Sequence, residues 1–231
     1  MKVGMVTHVG KVRETNEDSM GRKGTLLVLA DGMGGCNAGE VASALVVERV
    51  LAIEAKGPEF MEVLPLSLNN ANRALLDYAS LHQECSGMGT TVAIVKVEID
   101  RIYVAHVGDS RVYQWHEGIL TQLTTDHSLV EELVRRGGIT KEQAKDHPQK
   151  NVLTRALGTP GNIEVECTEH RINKGDLILL CTDGLTSMLD NDEIASILAL
   201  GLSPQESAEA LVQAANEKGG IDNISVIIAQ V

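Results

Sequence analysis

Five short motifs place aspartate or glutamate beside glycine or another turn-forming residue, at the ends of apolar, strand-like runs. They are Arg13-Glu14-Thr15-Asn16-Glu17-Asp18, Asp31-Gly32-Met33-Gly34-Gly35, Gly108-Asp109-Ser110-Arg111, Thr182-Asp183-Gly184 and Ile221-Asp222-Asn223. Carboxylates gathered in one cleft repel one another and lose hydration unless a cation lies among them. Because these oxygen ligands have no histidine or cysteine companions, the motifs predict a Mg²⁺ or Mn²⁺ site.

The elements that must position these carboxylates follow from the apolar pattern. The run from Thr25 to Ala30 predicts a buried strand that ends at Asp31. Helical spacing then covers residues 38–55 and about 64–81. Next, strands are predicted over residues 91–98, 101–107 and 112–115 and near Ile119, and their short connections favour antiparallel pairing.

The last third of the chain returns to the same two kinds of element. It predicts strands over residues 163–171, 176–180 and 223–231 and helices over about 192–200 and 204–217. Residues 128–150 are polar and helical, and we interpret them as a surface flap. Strands and helices in separate blocks predict an α+β layered fold, formed by one domain over residues 1–231.

Composition restricts the class of protein further. The chain has 231 residues, 43% of them hydrophobic, and a formal charge of −12, which opposes binding to nucleic acids or anionic membranes. No apolar stretch approaches the roughly 18 residues needed to cross a bilayer. The four cysteines lack C-x-x-C spacing, which predicts reduced thiols, and the seven histidines lack zinc-ligand spacing. We expect a complete, soluble, cytoplasmic protein.

Three further motifs complete an ordered series, namely Gly87-Met88-Gly89-Thr90-Thr91, Asp126-His127-Ser128 and Leu153-Thr154-Arg155-Ala156-Leu157-Gly158. In identity and order, the eight motifs resemble those of the metal-dependent protein phosphatases (the PPM family, or type 2C Ser/Thr phosphatases) in their minimal bacterial form. The resemblance runs from Arg13 to Asp222. It implies a four-layer α/β/β/α sandwich, in which two antiparallel sheets are flanked by helix pairs and a metal cleft lies at one end.

The resemblance also implies residue roles. Asp31 would bridge two Mn²⁺ or Mg²⁺ ions, and Asp183 and Asp222 would hold the first. Glu17 and the backbone carbonyl of Gly32 would serve the second ion, directly or through water. A water between the ions would attack phosphorus.

The substrate phosphate would be bound by Arg13, whose planar donor group matches phosphate oxygens better than lysine does. A third ion is implied at Asp109, but Ser187 stands where the family often has another aspartate, so we expect this site to be weaker. Many eukaryotic members carry a proton-donating histidine where this chain has Met33. Water, a phosphate-bound proton, or one of the histidines at positions 8, 106 and 127 remains as the donor.

The leading hypothesis is a monomeric phosphatase of phosphoserine and phosphothreonine in proteins that opposes Ser/Thr kinases and acts on phosphoproteins, a kinase among them. Three alternatives stay open: a dedicated phosphatase of a sigma-factor partner-switching regulator, a non-catalytic phosphoprotein-binding relative, and a metal-dependent esterase of small metabolites. Arg135 and Arg136 in the flap could steer acidic phosphopeptides. Thr90 and Thr91 could either pack or form hydrogen bonds near the site, and we expect packing for both.

Overall fold

The computed structural model describes residues 1–34 and 38–231. Gly35 and Cys36, for which we predict a backbone turn and a reduced thiol, lie outside the described residues. The three described cysteines, Cys85, Cys167 and Cys181, are free thiols, and the first and last of them are buried. No helix among the described residues has the length and apolar character required to span a lipid bilayer.

Two antiparallel sheets form the centre of the fold. The first has the strand order β1-β11-β10-β7-β8, with β1 at Lys2–His8, β7 at Arg111–His116, β8 at Ile119–Gln122, β10 at Leu177–Cys181 and β11 at Ile224–Gln230. The second has the order β2-β3-β5-β6-β9, with β2 at Asp18–Lys23, β3 at Leu26–Met33, β5 at Val92–Val97, β6 at Arg101–Val107 and β9 at Glu166–Arg171. The two-residue strand β4 (Gly89–Thr90) pairs with the end of β3.

Helices cover the outer face of each sheet. Helices α1 (Gly39–Leu51) and α2 (Pro58–Leu81) pack on the second sheet, and α6 (Asn191–Leu198) and α7 (Pro204–Glu217) pack on the first. The single-turn helix α5 (Asp183–Thr186) follows β10, and the flap contains α3 (Leu129–Arg135) and α4 (Lys141–Lys145). The predicted four-layer α/β/β/α sandwich is therefore confirmed.

Strand β3 explains why the chain needs a continuous apolar run at this point. Leu26, Val28 and Ala30 belong to the core beneath α1 and α2, whereas Leu27 and Leu29 belong to the core between the sheets. Successive side chains of a strand alternate between its faces, so a strand buried on both sides needs apolar residues throughout. This burial fixes the position of the next residue, Asp31.

Several element predictions were incomplete. Strands β1 and β2 were not predicted, because β2 carries the polar sequence Asp-Ser-Met-Gly-Arg-Lys and forms through its pairing with buried β3. Helix α2 begins at Pro58 rather than near Leu64, with proline in the first turn, where its missing N–H removes no helical bond. Strand β9 begins at Glu166, since Asn69 bonds both the N–H and the carbonyl of Ile163 and holds that segment against α2.

Candidate metal centre

The predicted carboxylates meet at one end of the sandwich because four strands, β2, β3, β10 and β11, begin or end there. Asp31 lies near the end of β3 and pairs across the sheet with Asp18, the first residue of β2. Asp183 starts α5 two residues after β10, and Asp222 lies two residues before β11, the neighbour of β10. Residues from both sheets thus converge on one site, as the motifs predicted.

Threonine hydroxyls hold the backbone of Asp31 in place. The N–H of Asp31 donates to Oγ1 of Thr91 at 3.1 Å, and Oγ1 of Thr90 donates to the carbonyl of Asp31 at 2.8 Å. The Thr91 N–H also donates to that carbonyl, at 2.9 Å. The expectation that these two threonines serve mainly in packing was wrong, since the end of β3 needs their hydroxyls as hydrogen-bond partners.

Burial and mutual repulsion raise the pKa values of several carboxyl groups in this site. Burial raises the pKa of Asp31 well above its usual range, and the neighbouring charges of Asp18 and Asp183 add to the shift. Burial likewise raises the pKa of Asp18 to about 7. The pKa of Asp183 is raised by burial and then by Asp222. Such shifts mark sites where a cation would relieve like-charge repulsion.

Asp18 gives a direct test of whether a cation fits. Its Oδ2 accepts a hydrogen bond from Oγ1 of Thr182 at 3.0 Å. Its Oδ1 is buried and has no hydrogen-bond partner among the described residues. An orphaned buried carboxylate oxygen is costly, and a Mg²⁺ or Mn²⁺ ion, or water bound to one, satisfies such an oxygen. The donor set therefore fits a divalent cation.

The N-terminal loop supplies the cationic and acidic groups at the rim. Nη2 of Arg13 donates to Oδ2 of Asp222 at 2.8 Å, and about half of the Arg13 side chain is exposed to solvent. This bond raises the pKa of Arg13. Glu17 lies against the start of α1, where a methyl group at Gly39 would be 2.6 Å from its Oε2. Burial and then Glu40 raise the pKa of Glu17.

Close backbone packing explains the glycine at position 32. Its N–H donates to the carbonyl of Glu17 at 3.1 Å. A Cβ atom at Gly32 would lie 2.1 Å from the carbonyl oxygen of Gly39, so no larger residue fits. Gly32 therefore brings Glu17 and the start of α1 together beside Asp31.

Asn223 holds the N-terminal loop in the site and was not predicted to have a role. Its Nδ2 donates to the carbonyls of Val9 and Thr15, and its Oδ1 accepts from the N–H of Glu17 at 2.8 Å. One buried amide thus fixes both ends of the segment that carries Arg13. The sequence showed only an Asp-Asn turn, because the partners lie more than 200 residues away.

Asp109 approaches the carboxylates from the end of β6. Burial, and then the charges of Asp183 and Asp126, raise its pKa to about 7. The turn before it needs Gly108, whose φ of 107° lies in the left-handed region. Asp109, Asp183 and Ser187 all line one cavity between the sandwich and the flap. The structure therefore places the predicted third-site residues beside the other carboxylates.

Partly buried Arg111 forms part of the cavity wall and makes a second contact that was not predicted. Its guanidinium binds both carboxylate oxygens of Asp126 at 2.7 to 3.0 Å. The sequence motif around Asp126 assigns that residue no role, and the structure shows a paired carboxylate there. A bidentate pair of this kind orients the wall next to Asp109.

The three candidate proton-donating histidines bond to other groups. Nδ1 of His8 accepts from the N–H of Gly10, and Nε2 of His106 lies 2.8 Å from the carbonyl of Thr125. Nδ1 of His127 accepts from the N–H of Gly108, and its Nε2 faces Glu166 at 3.4 Å. The structure therefore does not bring any of these three histidines among the carboxylates in place of Met33.

His106, His127 and Glu166 form a separate group whose potential ligand atoms lie within 4.8 Å of one another. The two rings stack with centroids 4.5 Å apart. Because Nδ1 of His127 accepts a backbone hydrogen bond, its neutral ring carries the proton on Nε2, which then cannot bind a metal. Burial lowers the pKa of His127 to about 4, and His106 and Arg155 contribute to the same shift. This group is better suited to holding the Gly108 turn than to binding zinc.

Comparison with known proteins decides the family. The profile described as protein phosphatase 2C matches residues 10–217. The chain belongs to the protein phosphatase 2C family. It is 38% identical to the serine/threonine phosphatase Stp of Listeria monocytogenes, over 97% of this chain and 93% of that relative.

Solved phosphatase 2C structures have the same fold. The serine/threonine phosphatase PstP of Mycobacterium tuberculosis superposes with a TM-score of 0.93 at 36% identity, covering 100% of this chain and 98% of that one. The catalytic domain of PstP in complex with two manganese ions superposes with a TM-score of 0.91 at 35% identity, covering 99% and 97% of the two chains. The predicted family membership is confirmed, and these relatives are serine/threonine phosphatases.

The raised carboxyl pKa values predict an unusual pH dependence for this phosphatase 2C chain without metal. Asp18 has a folded pKa of about 7, whereas an unfolded aspartate has a pKa of ~3.9. The folded state therefore holds a proton that the unfolded state has lost. Stability present at low pH is lost as pH rises through 7. Asp109, whose folded pKa is also about 7, doubles the effect of Asp18, so we expect the free energy of unfolding in chelator to fall by about 1–2 kcal/mol between pH 6.5 and 8.

Urea unfolding in chelator and in saturating Mn²⁺ tests this expectation. The window begins at pH 6.5 because His106 and His127, whose pKa values are lowered, destabilise the fold only as pH falls below the unfolded histidine value. With Mn²⁺ the fall above pH 6.5 should shrink, since the ion replaces the protons. A metal-free protein that is equally or more stable at pH 8 would contradict the account.

Proposed function

We propose that this chain hydrolyses phosphoserine and phosphothreonine in proteins with the help of Mn²⁺ or Mg²⁺. The observation that carries the proposal is the group of Asp18, Asp31, Asp183 and Asp222 beside exposed Arg13, in a chain of the phosphatase 2C family. The buried oxygen of Asp18, which has no hydrogen-bond partner among the described residues, supports a cation in this group. Residues 1–231 would act as one catalytic domain.

The positions of the carboxylates support the ligand roles. Asp31 neighbours Asp18 and Asp183, which supports its being shared by two ions, and Asp183 and Asp222 would hold the first. Glu17 and the carbonyl of Gly32 would hold the second, since both residues pack against the start of α1 and bond to each other. When bound, the ions would lower the pKa of water and offset negative charge on the phosphoryl group.

Arg13 would bind and orient the substrate phosphate. Its side chain reaches from solvent to Asp222, so a phosphate entering the site meets the guanidinium next to the carboxylates. A planar guanidinium binds two phosphate oxygens at once and offsets charge that develops as the leaving oxygen departs. Met33 cannot titrate, and in the described part of the chain none of the three candidate histidines bonds to a carboxylate of the site, so water or the phosphate itself would supply the proton for that oxygen.

The third ion site supplies one prediction. Because Ser187 offers a neutral hydroxyl where Asp109 and Asp183 share the cavity, Ser187→Asp should lower the Mn²⁺ concentration for half-activation by about tenfold. Asp109→Ala should raise the Mn²⁺ concentration for half-activation, or remove the part of the activation curve that comes from binding of the third ion. Manganese titration of activity, beside calorimetric titration of binding, measures both. The control is Ser196→Asp on α6, and activation curves identical in the wild type and all three variants would remove the third site from the account.

Comparison of substrates separates the proposal from its alternatives. A protein phosphatase should turn over a phosphothreonine peptide at least about tenfold more efficiently than sugar phosphates, because the peptide contacts the flap cavity as well as the site. Equal efficiencies would support the metabolite esterase instead. Absence of turnover with tight phosphopeptide binding would support the non-catalytic relative.

The proposed function also indicates which partners the enzyme has and where it acts. We propose that the enzyme opposes Ser/Thr kinases as a monomer and that phosphorylated proteins, including a kinase, are its substrates. The free thiols of Cys85, Cys167 and Cys181 support a reducing, cytoplasmic location. Activity confined to one phosphoserine regulator would favour the partner-switching alternative.

A further inference from the structure

A cavity of about 730 Å³ separates the flap from the end of the sandwich. Asp109 and Asp183 line its floor, so it is continuous with the candidate metal centre. A volume of this size accommodates several side chains of a bound peptide. A peptide whose phosphate lies at the carboxylates has this space beside its flanking residues.

Lysines are concentrated on the flap side of the cavity. Lys141 and Lys145 are four residues apart on α4, so they point from one face of that helix, and Lys150 follows in the next loop. Among the described residues, none of these three lysines has an ion-pair partner within 4.0 Å, although Glu131 and Asp146 line the same side. This is notable in a chain that carries 32 acidic and 20 basic residues.

The opposite side of the cavity is acidic and comes from the start of α6. Asp190 is already used, because its side chain accepts hydrogen bonds from two backbone N–H groups as the cap of that helix. Glu193 is paired with Lys218. Asp192 is exposed and, among the described residues, has no ion-pair partner within 4.0 Å. Asp192 is therefore the acidic group on this side that is free for a ligand.

The two charged sides do not neutralise each other. If the lysines and Asp192 approached within 4.0 Å they would form ion pairs, and the ion pairs of the described residues include none between the flap and α6. Opposite charges held apart across a cavity present a dipolar surface to whatever enters it. Arg135 and Arg136, the flap arginines that could steer peptides, are not among the lining residues, and Arg136 pairs with Glu132.

We propose that this cavity binds the segment flanking the phosphorylated residue of a protein substrate and selects its charge. An acidic residue on one side of the phosphoresidue meets Lys141 and Lys145, and a basic residue on the other side meets Asp192. The enzyme therefore prefers phosphosites whose flanks carry opposite charges in one order. This inference rests on the proposed phosphatase function and adds a substrate class to it.

Four phosphothreonine peptides of equal length test the preference. They differ only in their flanks: acidic before and basic after, the reverse, both neutral, and both acidic. At low salt, the wild type should favour one of the two charge-split peptides over the neutral peptide by about three- to tenfold in kcat/KM. The preference should weaken at about 0.5 M salt, since exposed charge contacts are screened.

Two variants assign the preference to the cavity. K141E/K145E should abolish or reverse the preference for the acidic flank, and Asp192→Lys should do so for the basic flank. Lys174→Glu, an exposed lysine in the turn before β10, serves as the matched control. Turnover of a small aryl phosphate, which has no flanks, should be unchanged in every variant and reports that each protein is folded and active.

The outcomes separate this inference from the function on which it rests. Equal rates on all four peptides with normal aryl phosphate turnover would overturn the charge selection alone. A wild-type preference that persists in both cavity variants would also overturn it. Absence of turnover of every substrate, aryl phosphate included, by the wild type with Mn²⁺ would overturn the phosphatase function itself.

Discussion

Replacing Asp183 with alanine is expected to lower metal-dependent turnover by roughly a thousandfold while making the metal-free protein more stable. Asp183 touches the Asp31 carboxyl, and burial and Asp222 already disfavour its charged form. Removing it takes one charge from a mutually repelling group, so we expect a gain of about 1 kcal/mol in the free energy of unfolding in chelator. Mn²⁺ should then stabilise the variant less than the wild type.

Asp176→Ala is the matched control, because Asp176 is a buried aspartate with the opposite character. It accepts hydrogen bonds from the side chains of Gln114 and His116 and from the N–H of Asn173. Its removal should cost about 2–3 kcal/mol of stability and leave the Mn²⁺ dependence of activity intact. If Asp183→Ala instead destabilised the metal-free protein as Asp176→Ala does, its role would be structural and the metal centre would be misassigned.

Arg13→Ala is expected to lower kcat/KM for a phosphothreonine peptide by roughly a hundredfold. The guanidinium lies at the rim and is about half exposed, so its loss should leave the fold unchanged. Arg13→Lys should recover only part of the loss, because an ammonium group lacks the planar pair of donors. Inhibition by inorganic phosphate should weaken in parallel.

Lys11→Ala, in the same loop, controls for a general loss of positive charge and should change kcat/KM little. Arg13 also distinguishes phosphate binding from metal binding. Since its present partner is Asp222, its removal frees that carboxylate, and the Mn²⁺ concentration for half-activation should not rise. Unchanged phosphate inhibition in Arg13→Ala would contradict its assignment to the substrate phosphate.

The elements of this fold that could be predicted are those whose pattern lies within a short stretch of sequence. Strand β3 has an apolar run because both of its faces are buried, so the run ending at Asp31 was visible directly. The capping box of α7, from Ser203 to Glu206, also lies within four residues. Strand β2 has no strand-like pattern in its own sequence, since its polar residues form a strand only by pairing with β3.

For the site, too, the residues within motifs could be predicted, whereas the contacts between residues distant in sequence could not. Motif order predicted a site formed by Asp31, Asp183, Asp222, Arg13 and Glu17, and these residues lie close together in the structure. It could not reveal that Asn223 ties the N-terminal loop to the site, because its partners lie at the other end of the chain. Nor could it show that Asp18 carries a buried oxygen without a partner among the described residues, a property that depends on three-dimensional neighbours.

Phosphate release from a phosphothreonine peptide, measured with metal-stripped protein supplied with Mn²⁺, Mg²⁺ or Ca²⁺, shows whether the carboxylates hold a catalytic metal. The carboxylate group predicts no turnover without metal and robust turnover with Mn²⁺ or Mg²⁺. Ca²⁺ should support little, because its larger and more flexible coordination suits this chemistry poorly. A folded protein that is inactive with every metal, or equally active in chelator, would contradict the proposed function.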